Sequence, residues 1–325
     1  MEIVVADIGG THARFALAFV SDGKVVELGR ETVLKTVTYG GLEGAWCAFA
    51  DIVGRPLPRA AAIAVACPVG SPCPDTLRLT NNPWTIRPAQ VAERLGLEDY
   101  HFINDFVAVA HAITQVDESF LTTICGPDTP ITASGVVSVI GPGTGLGVAT
   151  LIRDGATIRV VATEGGHTDF APLDTIEDRL LARLRARHGR VSVERVVAGP
   201  ALADFYATLA EIEGRVARDL EVPELWSAAL AKDDDLAAAA LERFCLCLGA
   251  VAGDIALTQG GFGGVVIAGG IGLRLATHLT KSGFGQRFLA KGRFETLMAT
   301  VPVKLLTHSQ PGLLGAAAAF AWEHR

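Results

Sequence analysis

A strand, a glycine-rich tight turn and a second strand occur twice in this chain of 325 residues. The first copy is Ile3-Val4-Val5 followed by Asp7-Ile8-Gly9-Gly10-Thr11-His12-Ala13-Arg14-Phe15-Ala16-Leu17-Ala18. The second is Val136-Val137-Ser138-Val139-Ile140 followed by Gly141-Pro142-Gly143-Thr144-Gly145-Leu146-Gly147-Val148-Ala149-Thr150. Glycines at a turn let the backbone come close to a ligand, and successive backbone N–H groups form a nest for an anion. Thr11 and Thr144 add hydroxyl donors. Two such turns predict two similarly built halves that act as two jaws on one phosphate chain.

The rest of the chain alternates strand-like and helix-like segments. Residues 2–20 read as a β-hairpin with a further strand over 25–34, then a helix over 41–52 and a short buried strand ending at Cys67-Pro68. A helix is expected over 88–95, with Pro88 near its first turn. Tyr100-His101-Phe102-Ile103 is a strand that runs into a helix with Phe106, Val109, Ala110 and Ile113 at i, i+3, i+4 and i+7. The second hairpin opens a strand set over 136–161, after which the pattern turns helical. Leu180, Leu181 and Leu184 mark one helix, Leu202, Phe205, Leu209 and Ile212 another, and 236–257 a long alanine-rich one. The charged stretch 222–235 is expected to be a surface excursion. Val265-Val266-Ile267 is a buried strand stopped by Gly269-Gly270; a strand over 303–306 and a helix over 313–322 close the chain. Interleaving of this kind predicts an α/β fold with helix-covered sheets. The expected division is a small α/β domain over 1–115 plus 308–325 and a large one over 116–307, with two chain crossings suited to a hinge.

Composition narrows the partners. Half of the residues are hydrophobic and 19% are charged, as in a folded globular protein. A formal net charge of −7 disfavours nucleic acid or an anionic membrane as the main partner. No stretch approaches 18 uninterrupted apolar residues, so no transmembrane helix is expected. With Glu2 and no basic residue before Arg14, no secretory leader is expected either. The six cysteines, Cys47, Cys67, Cys73, Cys125, Cys245 and Cys247, form no Cys-x-x-Cys pair and read as reduced thiols of a cytoplasmic protein.

Several residues have side chains suited to chemistry, and most have an ordinary alternative. Asn104-Asp105 lies where a strand ends and a helix begins, the place where ligands gather in open α/β sheets. Asp105 there is either a base toward a hydroxyl, oriented by Asn104, or the helix N-cap, or both. Glu164-Gly165-Gly166-His167 aims a carboxylate and an imidazole from a turn, an arrangement suited to a polyhydroxylated ligand. The paired glycines argue against the helix that a Glu-x-x-His metal pair would need. Glu194 stands in the first turn of a helix, where an acid also complements the helix dipole. Asp7, one residue before the first glycine turn, is a carboxylate placed for Mg²⁺. Gly269-Gly270 lets a flat or anionic group approach the backbone. Neither hairpin is a Walker loop or a dinucleotide fingerprint.

Taken together these segments resemble the bacterial glucokinase family of the non-zinc type, within the actin-like/hexokinase ATPase superfamily. The resemblance rests on Ala6-Asp7-Ile8-Gly9-Gly10-Thr11 with Ala13-Arg14, Ala66-Cys67-Pro68, Thr80-Asn81, Ile103-Asn104-Asp105-Phe106 and Gly143-Thr144-Gly145-Leu146-Gly147-Val148-Ala149. It continues through Glu164-Gly165-Gly166-His167, Asp169-Phe170-Ala171-Pro172, Glu194-Arg195-Val196, Gly199-Pro200, Ile267-Ala268-Gly269-Gly270-Ile271 and Pro311-Gly312-Leu313-Leu314-Gly315, covering nearly the whole chain. It implies a two-lobed ribonuclease H-like (actin-like ATPase) fold with a cleft between a small and a large α/β domain. It also implies ATP-dependent phosphorylation of glucose at the 6-hydroxyl, with Mg²⁺, in a cytoplasmic homodimer. Asp105 would be the base; Asn81, Asn104, Glu164, His167 and Glu194 would bind the sugar. Gly9, Gly10 and Thr11 with Gly143, Thr144 and Gly145 would hold the phosphates. Asp7 would act on Mg²⁺ through water, and Gly269 and Gly270 would lie against the adenosine.

The sequence departs from the family pattern at His12, usually Asn, at Gly272-Leu273, usually Val-Pro, and at Pro72-Cys73-Pro74 before Asn81. The cysteine-rich zinc motif of the related repressor/open-reading-frame/kinase proteins is absent. Two other functions compete with a glucokinase: a kinase for another hexose such as mannose or fructose, and a non-catalytic sugar sensor. Sensors of that kind add a basic DNA-binding helix-turn-helix, for which an acidic chain whose first strand begins by Ile3 is expected to have no room.

Overall fold

The computed structural model describes residues 1–70, 74–79 and 82–325. The chain divides into two compact units, Met1–Asp117 with His308–Arg325, and Glu118–Thr307.

The first unit is built on a mixed sheet. Its strands are β1 (Glu2–Ile8), β2 (His12–Ser21), β3 (Lys24–Leu28), β4 (Thr32–Lys35), β5 (Ala60–Val65) and β8 (Asp99–Asn104). They lie in the order β3-β2-β1-β5-β8, with β4 also on β2. β1 and β2 are antiparallel, while β1, β5 and β8 run parallel. Strand alternation sends Val4, Ala6 and Ile8 to one face and Ile3 and Val5 to the other. The first face packs with helix α1 (Leu42–Val53), α2 (Pro88–Leu95) and the small ribbon of β6 (Leu77–Arg78) and β7 (Thr85–Ile86). The second face is covered by α3 (Asp105–Ala112) and the C-terminal helix α13 (Pro311–Glu323).

The second unit repeats the plan. Its sheet contains β9 (Leu121–Cys125), β10 (Gly135–Pro142), β11 (Leu146–Asp154), β12 (Thr157–Thr163), β13 (Gly264–Ile267) and β14 (Val303–Leu306), in the order β12-β11-β10-β13-β14-β9. Again a hairpin, β10 and β11, leads into parallel neighbours, β13 and β14. Around it lie α4 (Thr175–His188), α5 (Glu194–Val197), α6 (Ala201–Glu213), α7 (Val222–Ala231), α8 (Asp235–Gln259), α9 (Gly269–Arg274), α10 (Ala276–Leu279), α11 (Phe284–Leu289) and α12 (Glu295–Met298). α8 is long and apolar enough to cross a membrane, but 72% of its most apolar stretch is buried as the core helix of this unit. Cys245 and Cys247 on α8 are both buried free thiols, and burial pushes the Cys245 thiol up to about 12.

Two expectations are corrected. The strand expected over 25–34 is two strands broken at Gly29-Arg30-Glu31, because β3 pairs with Ala18–Ser21 and β4 with His12–Phe15 on the same edge of β2. Gly29 turns the chain there with its N–H on the Leu17 carbonyl at 2.8 Å. The stretch 222–235 is not a surface excursion. It forms α7, with Leu225, Trp226 and Ala229 buried at helical spacing, and the charges Lys232, Asp233, Asp234 and Asp235 follow the helix.

Candidate functional site

In the first unit the parallel register aligns Ile8, Val65 and Asn104 at the carboxyl ends of β1, β5 and β8. Two strand spacings of about 4.8 Å put the ends of β1 and β8 about 10 Å apart along this edge. Asp7 and the Asn104-Asp105 pair therefore belong to one rim of one sheet, the rim at which open α/β sheets bind ligands.

Asp7 shares the parity of Ile3 and Val5 and so faces α13. A Cβ on Gly312, in the first turn of that helix, would stand 2.6 Å from Asp7 Oδ2, so the missing side chain is what makes room for the carboxylate. Burial raises the Asp7 pKa, and Arg14, whose guanidinium lies 3.7 Å away, opposes the rise. Arg14 is shared with Glu31 at 3.1 Å. A recessed carboxylate with a depleted hydration shell gains from a nearby cation, and one carboxylate with phosphates and water is how Mg²⁺ is usually held. The residues present fit that ion.

The turn after Asp7 is closed by the Gly9 N–H on the His12 carbonyl at 2.9 Å, leaving Gly10 and Thr11 at its tip. Two of its carbonyls are tied by side chains of residues with no role expected from the sequence. Asn82 donates to the Gly9 carbonyl at 2.9 Å, and the Thr36 hydroxyl to the Gly10 carbonyl at 2.9 Å. Neither has a local signature, since each meets the turn only through the tertiary fold. Asn81 and the Pro72-Cys73 loop lie outside the described residues.

The N-cap of α3 is Asn104, not Asp105. Its Oδ1 accepts from the Phe106 and Val107 N–H groups at 3.0 and 3.1 Å. Its amide group donates to the Cys67 carbonyl and to Asp105 Oδ1, both at 3.1 Å. Asp105 Oδ1 also accepts from the Phe106 N–H at 2.8 Å. Two donors on one oxygen orient the Asp105 carboxylate, and the Asn104 side chain is one of them.

In the second unit the hairpin tip is Gly143-Thr144-Gly145, closed by the Gly143 N–H on the Gly145 carbonyl at 2.8 Å. Glu194, at the start of α5, does more than complement a helix dipole. Its Oε2 accepts from the Leu146 N–H at 2.9 Å, 48 residues away. A Cβ on Gly145 would come to 2.5 Å of that oxygen. The glycine thus admits the carboxylate against the hairpin.

Glu164 precedes a short 3-10 turn (Gly165–His167) rather than an α-helix. A side chain on Gly166 would overlap the Leu146 carbonyl oxygen and stand 3.2 Å from Leu146 Cβ. Leu146 is therefore the hub: its N–H holds Glu194, and the space beside its carbonyl seats the turn carrying Glu164 and His167. The turn is pinned to the Glu194 segment by Val193 N–H on the Thr168 carbonyl at 2.9 Å and by Arg190, which donates to the His167 carbonyl and pairs with Asp169 at 2.7 Å. Glu164 and His167 are both exposed, with 3.9 Å between carboxylate and imidazole.

Gly269 has a positive φ of 83°, and a Cβ there would stand 3.1 Å from the Pro142 carbonyl, so the start of α9 abuts the hairpin base. Gly270 is exposed with open space above it. Gly199 joins the same cluster, donating its N–H to the Gly143 carbonyl at 2.8 Å. Its own carbonyl accepts from Trp226 Nε1 at 3.0 Å. Trp226, in the stretch expected to be a surface excursion, is thus a buttress of the second glycine turn. The structure gathers Gly9, Gly10, Thr11, Asp7, Asn104 and Asp105 in one unit. It gathers Gly143, Thr144, Gly145, Glu164, His167, Glu194, Gly269 and Gly270 in the other.

Known proteins match this arrangement along its whole length. The family model described as Glucokinase matches residues 4–323. The glucokinase of Zymomonas mobilis subsp. mobilis is 57% identical over 321 residues, covering 99% of this chain and 98% of the relative. A crystal structure of glucokinase from an Antarctic psychrotroph superposes with a TM-score of 0.84 at 34% identity, covering 98% of both chains. The ROK family glucokinase from Streptomyces griseus, solved with glucose and AMPPNP, shares the fold at a TM-score of 0.64 and 20% identity, covering 98% of this chain and 99% of that one. The α/β architecture is accordingly that of the actin-like sugar kinases, and the chain belongs to the glucokinase family.

Proposed function

We propose that this protein transfers the γ-phosphoryl group of ATP to the 6-hydroxyl of glucose. The observation that carries the reading is the alignment of β1, β5 and β8, which sets a recessed carboxylate, a glycine turn and the oriented Asp105 carboxylate on one sheet edge. The 57% identity with the Zymomonas mobilis glucokinase supports it, as does the Streptomyces griseus protein, whose structure contains glucose and AMPPNP.

Phosphoryl transfer is mostly positioning and charge stabilisation. Asp105 accepts the proton of the attacking hydroxyl, held for that task by Asn104 and the Phe106 N–H. Glu164, His167 and Glu194 receive sugar hydroxyls; charged acceptors suit buried hydroxyl donors and penalise a ligand that lacks them. Glu194 serves with the oxygen that does not hold Leu146. The turns at Gly9-Gly10-Thr11 and Gly143-Thr144-Gly145 present backbone and threonine donors to the phosphates. Asp7 would hold Mg²⁺ through water, and the bound ion would supply charge neutralisation to the phosphates. Gly270 offers an open backbone surface to the adenosine. A cytoplasmic homodimer accompanies this reading; light scattering at twice the monomer mass would support the dimer.

A coupled ADP-release assay over glucose, mannose, fructose and N-acetylglucosamine tests the substrate. Highest kcat/KM on glucose is expected, and equal or better turnover of another hexose would replace glucose as the substrate. Asp105→Asn is expected to lower kcat by about 10²–10⁴-fold while sugar binding persists. Near-normal turnover would reduce Asp105 to a structural group, and sugar binding without transfer in the wild type would make the chain a sensor.

A further inference from the structure

The segment Pro311-Gly312-Leu313-Leu314-Gly315 opens α13, and the proposed chemistry assigns it no role. One of its glycines meets Asp7, and the other meets the helix that opens with Asp105. A Cβ on Gly312 would stand 2.6 Å from Asp7 Oδ2 and 2.8 Å from its Cγ. A Cβ on Gly315 would overlap the Ala108 carbonyl oxygen and stand 3.1 Å from Ala108 Cα. Ala108 is three residues into α3 from Asp105, about 4.5 Å along the helix axis. Three residues apart is one face of a helix, so Gly312 and Gly315 are neighbours on α13. One stripe of α13, a single turn long, therefore abuts both the Asp7 carboxylate and the helix that begins with Asp105.

We propose that Gly312 and Gly315 are positioning residues of the reaction, and that α13 is the strut that sets the separation of Asp7 and Asp105. The helix is rigid at this point: every residue from Gly312 to Ala321 is buried. The neighbour of Gly315 is backbone, which cannot rotate away, so any side chain there must push α3 bodily. α3 is pinned at its other end by the Asn104 cap and cannot slide without carrying Asp105. The neighbour of Gly312 is the end of a side chain, so an added methyl there displaces the Asp7 carboxylate and leaves α3 in place.

The inference rests on the assignment of Asp105 as base, and the two are separable by experiment. Gly315→Ala, Gly312→Ala, Asp105→Asn and a control, Phe49→Leu, are compared. Phe49 packs on Phe15 on the opposite face of the sheet. A displacement on the order of 1 Å at a reacting group costs about 100-fold. Gly315→Ala is therefore expected to lower kcat 10- to 100-fold with the KM for ATP within threefold. Phe49→Leu, with a comparable loss of Tm, is expected to keep kcat within twofold. Gly312→Ala is expected to fold normally and to weaken binding of a non-hydrolysable ATP analogue at least fivefold in the presence of Mg²⁺ but not in its absence, read by calorimetry without turnover. Loss of activity in Asp105→Asn with kcat of Gly315→Ala within twofold of wild type would overturn the strut and spare the base. So would equal loss of kcat in Phe49→Leu. If Gly315→Ala does not fold, unchanged Mg²⁺-dependent binding by Gly312→Ala overturns the proposal alone. Near-normal turnover by Asp105→Asn would instead overturn the reading on which it stands.

Discussion

Gly145→Ala is a change in a phosphate turn that should be read out on the sugar. The added Cβ would lie 2.5 Å from Glu194 Oε2 and 3.2 Å from its Cδ. Relief to the ordinary contact of 3.4 Å requires the carboxylate to move by about 0.9 Å. The bond from the Leu146 N–H to that oxygen is 2.9 Å long, so a move of that size carries it past the roughly 3.2 Å limit of a good hydrogen bond. Loss of a charge-assisted bond at a half-buried site costs about 1.5 kcal/mol. For a unit of this size that lowers Tm by about 3–6 °C. The kinetic cost is set by Glu194's other oxygen, which moves with the group. A displacement approaching 1 Å lowers kcat/KM for glucose by about 10- to 100-fold, or about 1.4–2.7 kcal/mol of transition-state stabilisation. The KM for ATP should change less than threefold, because the turn's backbone is closed by the Gly143 N–H on the Gly145 carbonyl, which a methyl group does not touch. The assay is coupled ADP release, varying glucose at saturating ATP and then the reverse, with thermal unfolding alongside. A raised KM for ATP with an unchanged KM for glucose would refute the link from Gly145 through Glu194 to the sugar.

Other perturbations probe neighbouring parts. Gly166→Ala meets backbone at Leu146 rather than a side chain; it should cost about 1–3 kcal/mol by overpacking and lower Tm by about 2–12 °C, with kcat/KM for glucose falling alongside. Glu194→Gln keeps an acceptor for the Leu146 N–H but loses the charge, so Tm should hold within about 2 °C while the KM for glucose rises about tenfold; an unchanged KM would remove Glu194 from the sugar site. Trp226→Phe keeps the edge-on packing against Phe244 but leaves the Gly199 carbonyl without its donor, at a cost of about 1–3 kcal/mol; the KM for ATP should rise while that for glucose stays, and the reverse would detach Gly199 from the phosphate turn. Burial, with His101 adding repulsion, pushes the His111 pKa down to about 4 from its ordinary 6.5. The unfolded chain then binds the proton more readily, so stability should fall as pH drops from about 6.5 to about 4 and level off below, by at most about 3 kcal/mol from this residue. His111→Gln should flatten that slope in a pH series of thermal melts, and an unaltered slope would assign it to other groups.

How far the sequence spoke for the structure depended on the range of each cause. Both hairpins were legible because strand, turn and strand are neighbours along the chain, and the order of elements around Val303–Leu306 followed from local apolar runs. The break between β3 and β4 was not, because Gly29 turns against Leu17, on another strand. α7 was hidden because the run Lys232-Asp233-Asp234-Asp235, just past its end, gives the stretch 222–235 its charged character, although Leu225, Trp226 and Ala229 stand at helical spacing. The exchange of roles at Asn104-Asp105 was undecidable from spacing, since either side chain reaches the first free N–H groups of α3. The glycines make the sharpest case. Turn logic attributes them to backbone freedom, and at Gly269, with its positive φ, that reason holds. Gly145, Gly166, Gly312 and Gly315 are not among the positive-φ residues; each is required by one particular atom elsewhere in its unit, namely Glu194 Oε2, the Leu146 carbonyl, Asp7 Oδ2 and the Ala108 carbonyl. A glycine of the first kind can be exchanged for asparagine at modest cost because the demand is on φ alone. A glycine of the second kind tolerates nothing larger, whatever its conformation. That difference is testable at Gly260, which has φ +67° with open space around its Cβ position and should accept asparagine where Gly315 should not accept even alanine.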